Sequence, residues 1–399
     1  MRRGFLLQKS LCLDEKVNKS TQESARPIIN VSKGSIAIPS GPLPSYINTP
    51  DVGFLPSATN RVITSLPLPS QCLRGERSVT CILFQGMKEA ILATPGFPAP
   101  LAIPFPSVYR LDSIEGAGLG MFATVDLDPG DLIACERPLM VCTAYMPISL
   151  RDGDLHPNQV LELAVYQMMS EDGRRAFLSL HKCKGNTVPL VNNILDTNSL
   201  PVGKLPGYDG FCCGVSKDIS RVNHSCSPNA CHRWDLMSFS FELRALKKIL
   251  KGEQITIGYG NLVCPRSERW KMELKISEAR RAVMKRIQDT PYDDAELNAW
   301  LKSSDATSDI IIKRYESVAL AMEAEGLYVE DCWPVCYQRL CKIYCALENM
   351  EEARKWAKHA EGLCRAFTGK DGGWSAVAAA PQSTNWWGLK THFGSAKAA

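Results

Sequence analysis

The chain has 399 residues, of which 45% are apolar and 22% charged, and its formal net charge is +4. These values suit a globular protein of two or three domains with a sizeable core. So small a charge gives no basis for direct nucleic-acid binding, and no run of 18 apolar residues is present to span a membrane.

The N-terminus, MRRGFLLQKS, is basic, but its apolar stretch is only about four residues, against roughly 7–15 for a secretory signal. The chain therefore reads as intracellular, in the nucleus or the cytoplasm. Its sixteen cysteines are scattered and form no C-x-x-C pair, unlike a secreted disulfide scaffold. Cys332/Cys336 and Cys341/Cys345 are i,i+4 pairs and read as small buried side chains on a helix face. Thirteen of the 25 prolines fall in the first 106 residues. The stretches PSGPLPSYINTPDVGFLPS and TPGFPAPLAIPFPSVY carry no helical or strand period, so residues 1–105 read as a mostly disordered leader.

Order is expected from Tyr109. GLGMFATVDLDPGDLIACERPLMV alternates in short β-like runs with a turn at Asp128-Pro129-Gly130. From Asn158 to His181 apolar residues recur at helical spacing, interrupted near Asp172-Gly173. The β pattern returns in FSFELRALKKILKGEQITIGYG. From Arg266 to Phe367 the pattern is helical. Ala353, Trp356, Ala357, Ala360, Leu363, Cys364 and Phe367 make an i, i+3, i+4 stripe. The preceding helix carries Cys336, Leu340, Ile343, Tyr344 and Leu347, and ENMEE joins the two into an αα-hairpin of about tetratricopeptide size. The tail from 371 to 399 reads as flexible. Between Arg266 and Arg286 eight Lys/Arg face three Glu, which reads as a solvated helix face.

The densest chemistry lies in SRVNHSCSPNACHRWD, Ser220 to Asp235. Asn223-His224-Ser225 is formally an N-x-S glycosylation acceptor, which without a secretory signal has no route to that modification. A zinc site from His224, Cys226, Cys231 and His232 would crowd four ligands into nine residues at a spacing no common finger uses. A Cys–His nucleophile would need a third, orienting group. Taken alone, the stretch reads as a tight polar turn beside a strand. Upstream, Gly116-Ala117-Gly118-Leu119-Gly120-Met121-Phe122-Ala123 leads into a strand, so it is a poor dinucleotide loop. A glycine-rich strand start does suit close approach of backbone to a ligand. Downstream stands Gly252-Glu253-Gln254-Ile255-Thr256-Ile257-Gly258-Tyr259.

These three blocks, G-x-G-x-F-A, N-H-S-C-x-P-N and G-E-x-I-x-I-x-Y in that order, resemble a SET domain, the fold of lysine methyltransferases that use S-adenosylmethionine. The long insert between the first two resembles the split arrangement of the SET-and-MYND group and its fungal relatives, and the likeness covers roughly 109–367. It implies an α+β protein: a SET β-fold over 106–262 with a helical insert at about 145–205, then an all-α, tetratricopeptide-like domain over 263–370. It implies that Ala117, Gly118, Leu119 and Gly120 meet the cofactor through backbone, that Asn223 and His224 hold its amino-acid end and adenine, and that Tyr259 stands at the methyl-transfer site. The implied partners are a protein substrate bearing a lysine, histone or otherwise, and proteins that bind the helical domain.

Two departures bear on activity. The insert holds only Cys183, Cys212 and Cys213, too few for a MYND finger. The family's post-SET cysteine run, which joins the cysteine of N-H-S-C (here Cys226) around a structural zinc, is missing between Lys275 and Ile276. Cys264 stands in the wrong place to replace it, so Cys226 is expected to lack zinc. Two readings follow: an ordinary enzyme whose gene model lost a segment, or a silent SET-helical scaffold that binds partners.

Overall fold

The computed structural model describes residues 61–73, 75–115, 118–144, 156–185, 187–259, 273–289, 294–303 and 308–390. Residues 1–60 of the expected leader, Ala117, Cys264 and the last nine residues lie outside them.

In chain order the elements are β1 (Arg61–Leu66), β2 (Val79–Phe84), α1 (Met87–Leu92), β3 (Tyr109–Ile114), β4 (Gly118–Ala123), β5 (Leu132–Glu136) and β6 (Met140–Thr143). Then come α2 (Pro157–Leu163), α3 (Glu171–Leu178), α4 (Leu190–Asn198), β7 (Leu200–Leu205), β8 (Tyr208–Val215), β9 (Asn223–His224), β10 (Ala230–Asp235), β11 (Ser240–Ala245) and β12 (Gln254–Ile257). The rest is helical: α5 (Glu273–Gln288), α6 (Ala295–Lys302), α7 (Ser308–Glu325), α8 (Arg339–Ala346), α9 (Met350–Thr368) and α10 (Trp374–Ala379). Sheets followed by a helical C-terminal region make the chain α+β.

The chain divides into two compact units. One comprises residues up to Ala102 with Glu136–Arg221 and Trp234–Phe241; the other comprises Ile103–Cys135, Val222–Arg233 and Glu242–Ala399. The first unit is built on a five-stranded sheet in the order β1-β2-β6-β8-β7. Its strands β1 and β2 lie inside the stretch expected to be disordered, which corrects that expectation for residues 61 to 105. Arg61–Leu66 pairs antiparallel with Val79–Phe84, and Thr80–Ile82 then pairs parallel with Met140–Cys142. Ile63, Leu66, Val79, Ile82 and Leu83 are at most 1% exposed, and strands buried on both faces show no period-2 alternation to read.

Arg137 explains why the proline-rich connection stays in place. Its buried guanidinium pairs with Glu76 at 2.6 Å and donates to the carbonyls of Ala99 and Ser238. The insert helices pack on this sheet through Val160, Leu161, Ala164, Phe177, Val191 and Ile194. The helical break falls at Met169-Ser170, where Ser170 caps α3 by accepting from the Gly173 amide, and not at Asp172-Gly173.

In the second unit, β3, β4, β12 and β9 form a four-stranded sheet in that order. The helices share a core of Met284, Tyr315, Met322, Trp333, Leu340, Ile343, Ala357 and Leu363. Helix α9 starts at Asn349, whose side chain accepts from the Glu352 amide, and ends at Gly369 in the left-handed region. Acidic residues in its first turn and Arg365 in its last turn suit the helix dipole. The expected stripe from Ala353 to Cys364 is its buried face. Cys332, Cys336, Cys341 and Cys345 are fully buried free thiols. The expected flexible tail is corrected as far as Lys390: α10 follows, and Trp374 and Ala378 are buried against the helical core.

Candidate functional site

The three sequence blocks meet at β12. This strand pairs antiparallel with β4, Gln254 opposite Phe122 and Ile255 opposite Met121. On its other edge it pairs parallel with β9, Thr256 opposite Asn223 and Ile257 opposite His224. Ile255 and Ile257 are buried, so alternation along the strand fixes which face the other residues take.

The glycine-rich block supplies a bare strand start. Gly118 adopts φ +78°, a conformation that favours glycine, and a β-carbon built there would meet nothing within 4 Å. Leu119 beside it is 38% exposed. Gly120 is the opposite case. A β-carbon there would come within 2.3 Å of the Ile114 side chain and 3.0 Å of the side-chain nitrogens of Asn223 and Gln254. Asn223 in turn donates from Nδ2 to the Leu119 carbonyl at 3.2 Å. The first and second blocks are thereby joined directly.

The second and third blocks are joined twice. The Tyr259 amide donates to Nδ1 of His224 at 3.0 Å, and the Tyr259 hydroxyl donates to the Val222 carbonyl at 2.5 Å. The two rings lie 5.2 Å apart, tilted by 44°. With Nδ1 accepting, the proton of a neutral His224 sits on Nε2, which lies 3.3 Å from the sulfur of Cys226. Both ring nitrogens are thus engaged inside the protein.

Three further residues hold the site, and the sequence reading had assigned them no part in it. Asn229 accepts from the Thr256 amide at 2.8 Å and donates to the Gln254 carbonyl at 2.8 Å, clamping β12. Its signal was present, as the last letter of N-H-S-C-x-P-N. Arg281 donates to the Cys226 carbonyl at 3.2 Å, and Arg280 and Arg281 both pair with the buried Glu325 at 3.3 Å. The basic stretch read as a solvated face therefore contributes a buttress. Ser227 donates to the Gly326 carbonyl at 3.1 Å.

Of the four residues weighed as a zinc knot, His224 and Cys226 meet, and Cys231 and His232 do not complete a set with them. Cys231 donates to the Ala366 carbonyl, and burial pushes its thiol up to about 12. Burial also pushes His232 down to about 4. Among the described residues, to which Cys264 does not belong, no group of three or more His, Cys, Asp or Glu is placed to hold a metal, so these residues alone assemble no zinc site at Cys226. Helix α5 runs unbroken through Lys275–Ile276.

One partly buried acid holds the segment just before Val222. Glu136, from ERPLMV, accepts from the amides of Asp218 and Ile219 at 3.0 and 2.9 Å. These amides open the short turn Ile219–Arg221 that leads directly into Val222 and Asn223. Burial first, and then the Asp218 carboxylate, raise its carboxyl to about 7.

Comparison with known proteins agrees with this geometry. The family model described as SET domain matches residues 118–260, which run from the first glycine of the bare strand to just past Tyr259. The histone-lysine N-methyltransferase set5 of Schizosaccharomyces pombe is 27% identical over 168 residues, 42% of this chain and 47% of that protein. The match spans about half the length of this relative. Residues 118–260, folded so that their glycine strand, Asn-His pair and closing tyrosine meet at one strand, match a SET domain, and over part of its length the chain is similar to a SET-type lysine methyltransferase.

Proposed function

We propose that the chain transfers a methyl group from S-adenosylmethionine to a lysine side chain of a protein, with histones as the first substrates to test, in the nucleus. The observation that carries the reading is the convergence of Gly118–Gly120, Asn223 and Tyr259 on β12. The open space over Gly118 and the exposure of Leu119 beside it fit a ligand that lies along this strand start. Gly118, Leu119 and Gly120 would hold the cofactor with Asn223, and Ala117 would continue that contact. His224 would act by fixing the segment, since its ring nitrogens are spent on Tyr259 and Cys226.

When bound, S-adenosylmethionine supplies a methyl carbon already made electrophilic by its sulfonium. The chain's own task is alignment and delivery of a neutral amine. With a reference lysine pKa near 10.4, deprotonation at pH 7 costs about 4.6 kcal/mol, which an apolar channel reduces by desolvation. The Tyr259 hydroxyl and the Val222 carbonyl, already hydrogen-bonded to each other, are oxygens suited to orienting the amine and to weak C–H···O contacts with a polarised methyl. The helical region after residue 273 would bind partner proteins, as its tetratricopeptide-like hairpin suggests.

The test is titration calorimetry of the full chain with S-adenosylmethionine. Micromolar binding that Asn223→Ala weakens about tenfold or more supports the reading; a one-pair loss of about 1.4 kcal/mol has this size. A folded sample that binds no cofactor overturns it and leaves the silent scaffold.

A further inference from the structure

One face of α9 borders two hollows of the second unit. The larger, of about 620 Å³, is lined by Met350, Glu351, Arg354, Lys355, Lys358 and His359. The other, of about 570 Å³, continues from Lys358 and His359 to Glu361, Gly362 and Arg365. Its opposite side is the Asp128-Pro129 turn and the segment Leu246–Lys248. The two hollows share Lys358 and His359, so they form one trough along the helix. From Met350 to Arg365 it runs about 22 Å at 1.5 Å per residue. That length matches about seven residues of extended peptide at roughly 3.3 Å each.

The trough is basic, and not uniformly so. Arg354, Lys355, Lys358, Arg365, Lys247 and Lys248 line it against Glu351, Glu361 and Asp128. Lys355 is spent on Glu352 and Arg365 on Glu361. Lys247, Lys248 and Lys358 are in no ion pair among the described residues; Lys247 reaches the Ser227 hydroxyl at 3.5 Å. Burial holds His359 below its ordinary range, so it adds no charge near neutral pH. Tyr328 also lines the trough, partly exposed, and burial raises its phenol, keeping it a neutral donor with an apolar ring face; Tyr337 lies fully buried behind it.

We propose that this trough docks an acidic, extended segment of a partner protein, its carboxylates on Lys247, Lys248 and Lys358 and an apolar side chain against Tyr328. Charge complementarity selects the occupant. The interspersed Glu351, Glu361 and Asp128 disfavour a nucleic acid, whose phosphates form an unbroken line of charge. A peptide can place carboxylates beside the lysines and leave the acidic positions free. The trough stands apart from the residues assigned to methyl transfer, so a chain that binds no S-adenosylmethionine still tests it.

The experiment is fluorescence anisotropy of the full chain with a labelled octapeptide rich in Asp and Glu and carrying leucine. A lysine-rich octapeptide and a single-stranded oligonucleotide serve as competitors. The expected result is micromolar binding of the acidic peptide that weakens with salt and falls about tenfold or more in Lys248→Glu/Lys358→Glu. Both side chains are exposed, and an unchanged melting curve shows that the variant folds. No binding by the acidic peptide, or equal binding to the variant, overturns the proposal. Tighter binding of the oligonucleotide also overturns it and makes the trough a nucleic-acid site.

Discussion

The Tyr259 amide donates to Nδ1 of His224 at 3.0 Å, which binds the closing tyrosine to the Asn-His pair and sets the tautomer of the ring. Removing the acceptor strands a part-buried N–H, at a cost of about 1–3 kcal/mol. His224→Ala should lose this much in urea denaturation. His224→Asn places an oxygen near the position of Nδ1 and should recover at least half of the loss. Equal stability of the two variants would contradict the role given to the ring.

Tyr259→Phe separates structure from chemistry. The variant loses one hydrogen bond, to the Val222 carbonyl, worth about 1 kcal/mol in stability. Affinity for S-adenosylmethionine should stay within about threefold, since ~0.6 kcal/mol is all that such a change represents. Methyl transfer to core histones, followed with tritiated cofactor, should fall about a hundredfold, the scale of removing one preorganised polar group from a transition state. A variant with unchanged turnover would remove Tyr259 from the site.

Gly120→Ala should both destabilise the domain and weaken cofactor binding. Overpacking of this kind costs about 1–3 kcal/mol. The worst contact is with Cδ1 of Ile114, and the Asn223 amide is the next neighbour. Adding Ile114→Val deletes that methyl and should restore most of the melting temperature. Affinity should remain low, because Asn223 is still displaced. Recovery of both together would mean that Gly120 serves packing alone.

Two partly buried groups give opposite pH dependences. The carboxyl of Glu136 is raised to about 7 in the fold. Between its ordinary value and 7 the native state therefore holds a proton that the unfolded chain has released, and the contribution to stability is lost as pH rises through that window. His232 is lowered to about 4. Between 4 and its ordinary value the unfolded chain holds the extra proton, and stability is lost as pH falls. The two slopes largely cancel between about pH 4.5 and 6.5. Glu136→Gln should expose a profile that rises with pH there, and His232→Asn one that falls, each read from denaturation midpoints. Parallel profiles for the two variants would refute the opposition.

The site was legible in the sequence because its three blocks each carry a backbone demand: a glycine that must be bare, an Asn-His pair set between strands, and a tyrosine closing a short strand. Asn229 was legible too, as part of the second block, but its role as a clamp depends on where β12 lies. Arg281 was not, because a cation in a charged run reads the same whether it faces solvent or a carbonyl; Glu325, 44 residues away, makes the difference. The proline-rich stretch misled for a related reason. RVITSL and VTCILF are buried on both faces, so they lack alternation, and the prolines between them drew attention from a sheet closed by Arg137 and Glu76. The ordered tail rests on Trp374 in a Gly- and Ala-rich segment, where composition alone argued for looseness.

Asn223 and the Leu119 carbonyl that it holds are 104 residues apart, and the chain leaves the second unit at Cys135 and returns to it at Val222. Closing a loop of that length costs about 4 kcal/mol before any contact rewards it. Topologies rich in contacts of such long range fold slowly. A ligand gripped by both β4 and β9 would hold that loop closed from its two ends: where their contact forms after the folding barrier, the ligand lengthens the lifetime of the native state and leaves the rate of folding untouched.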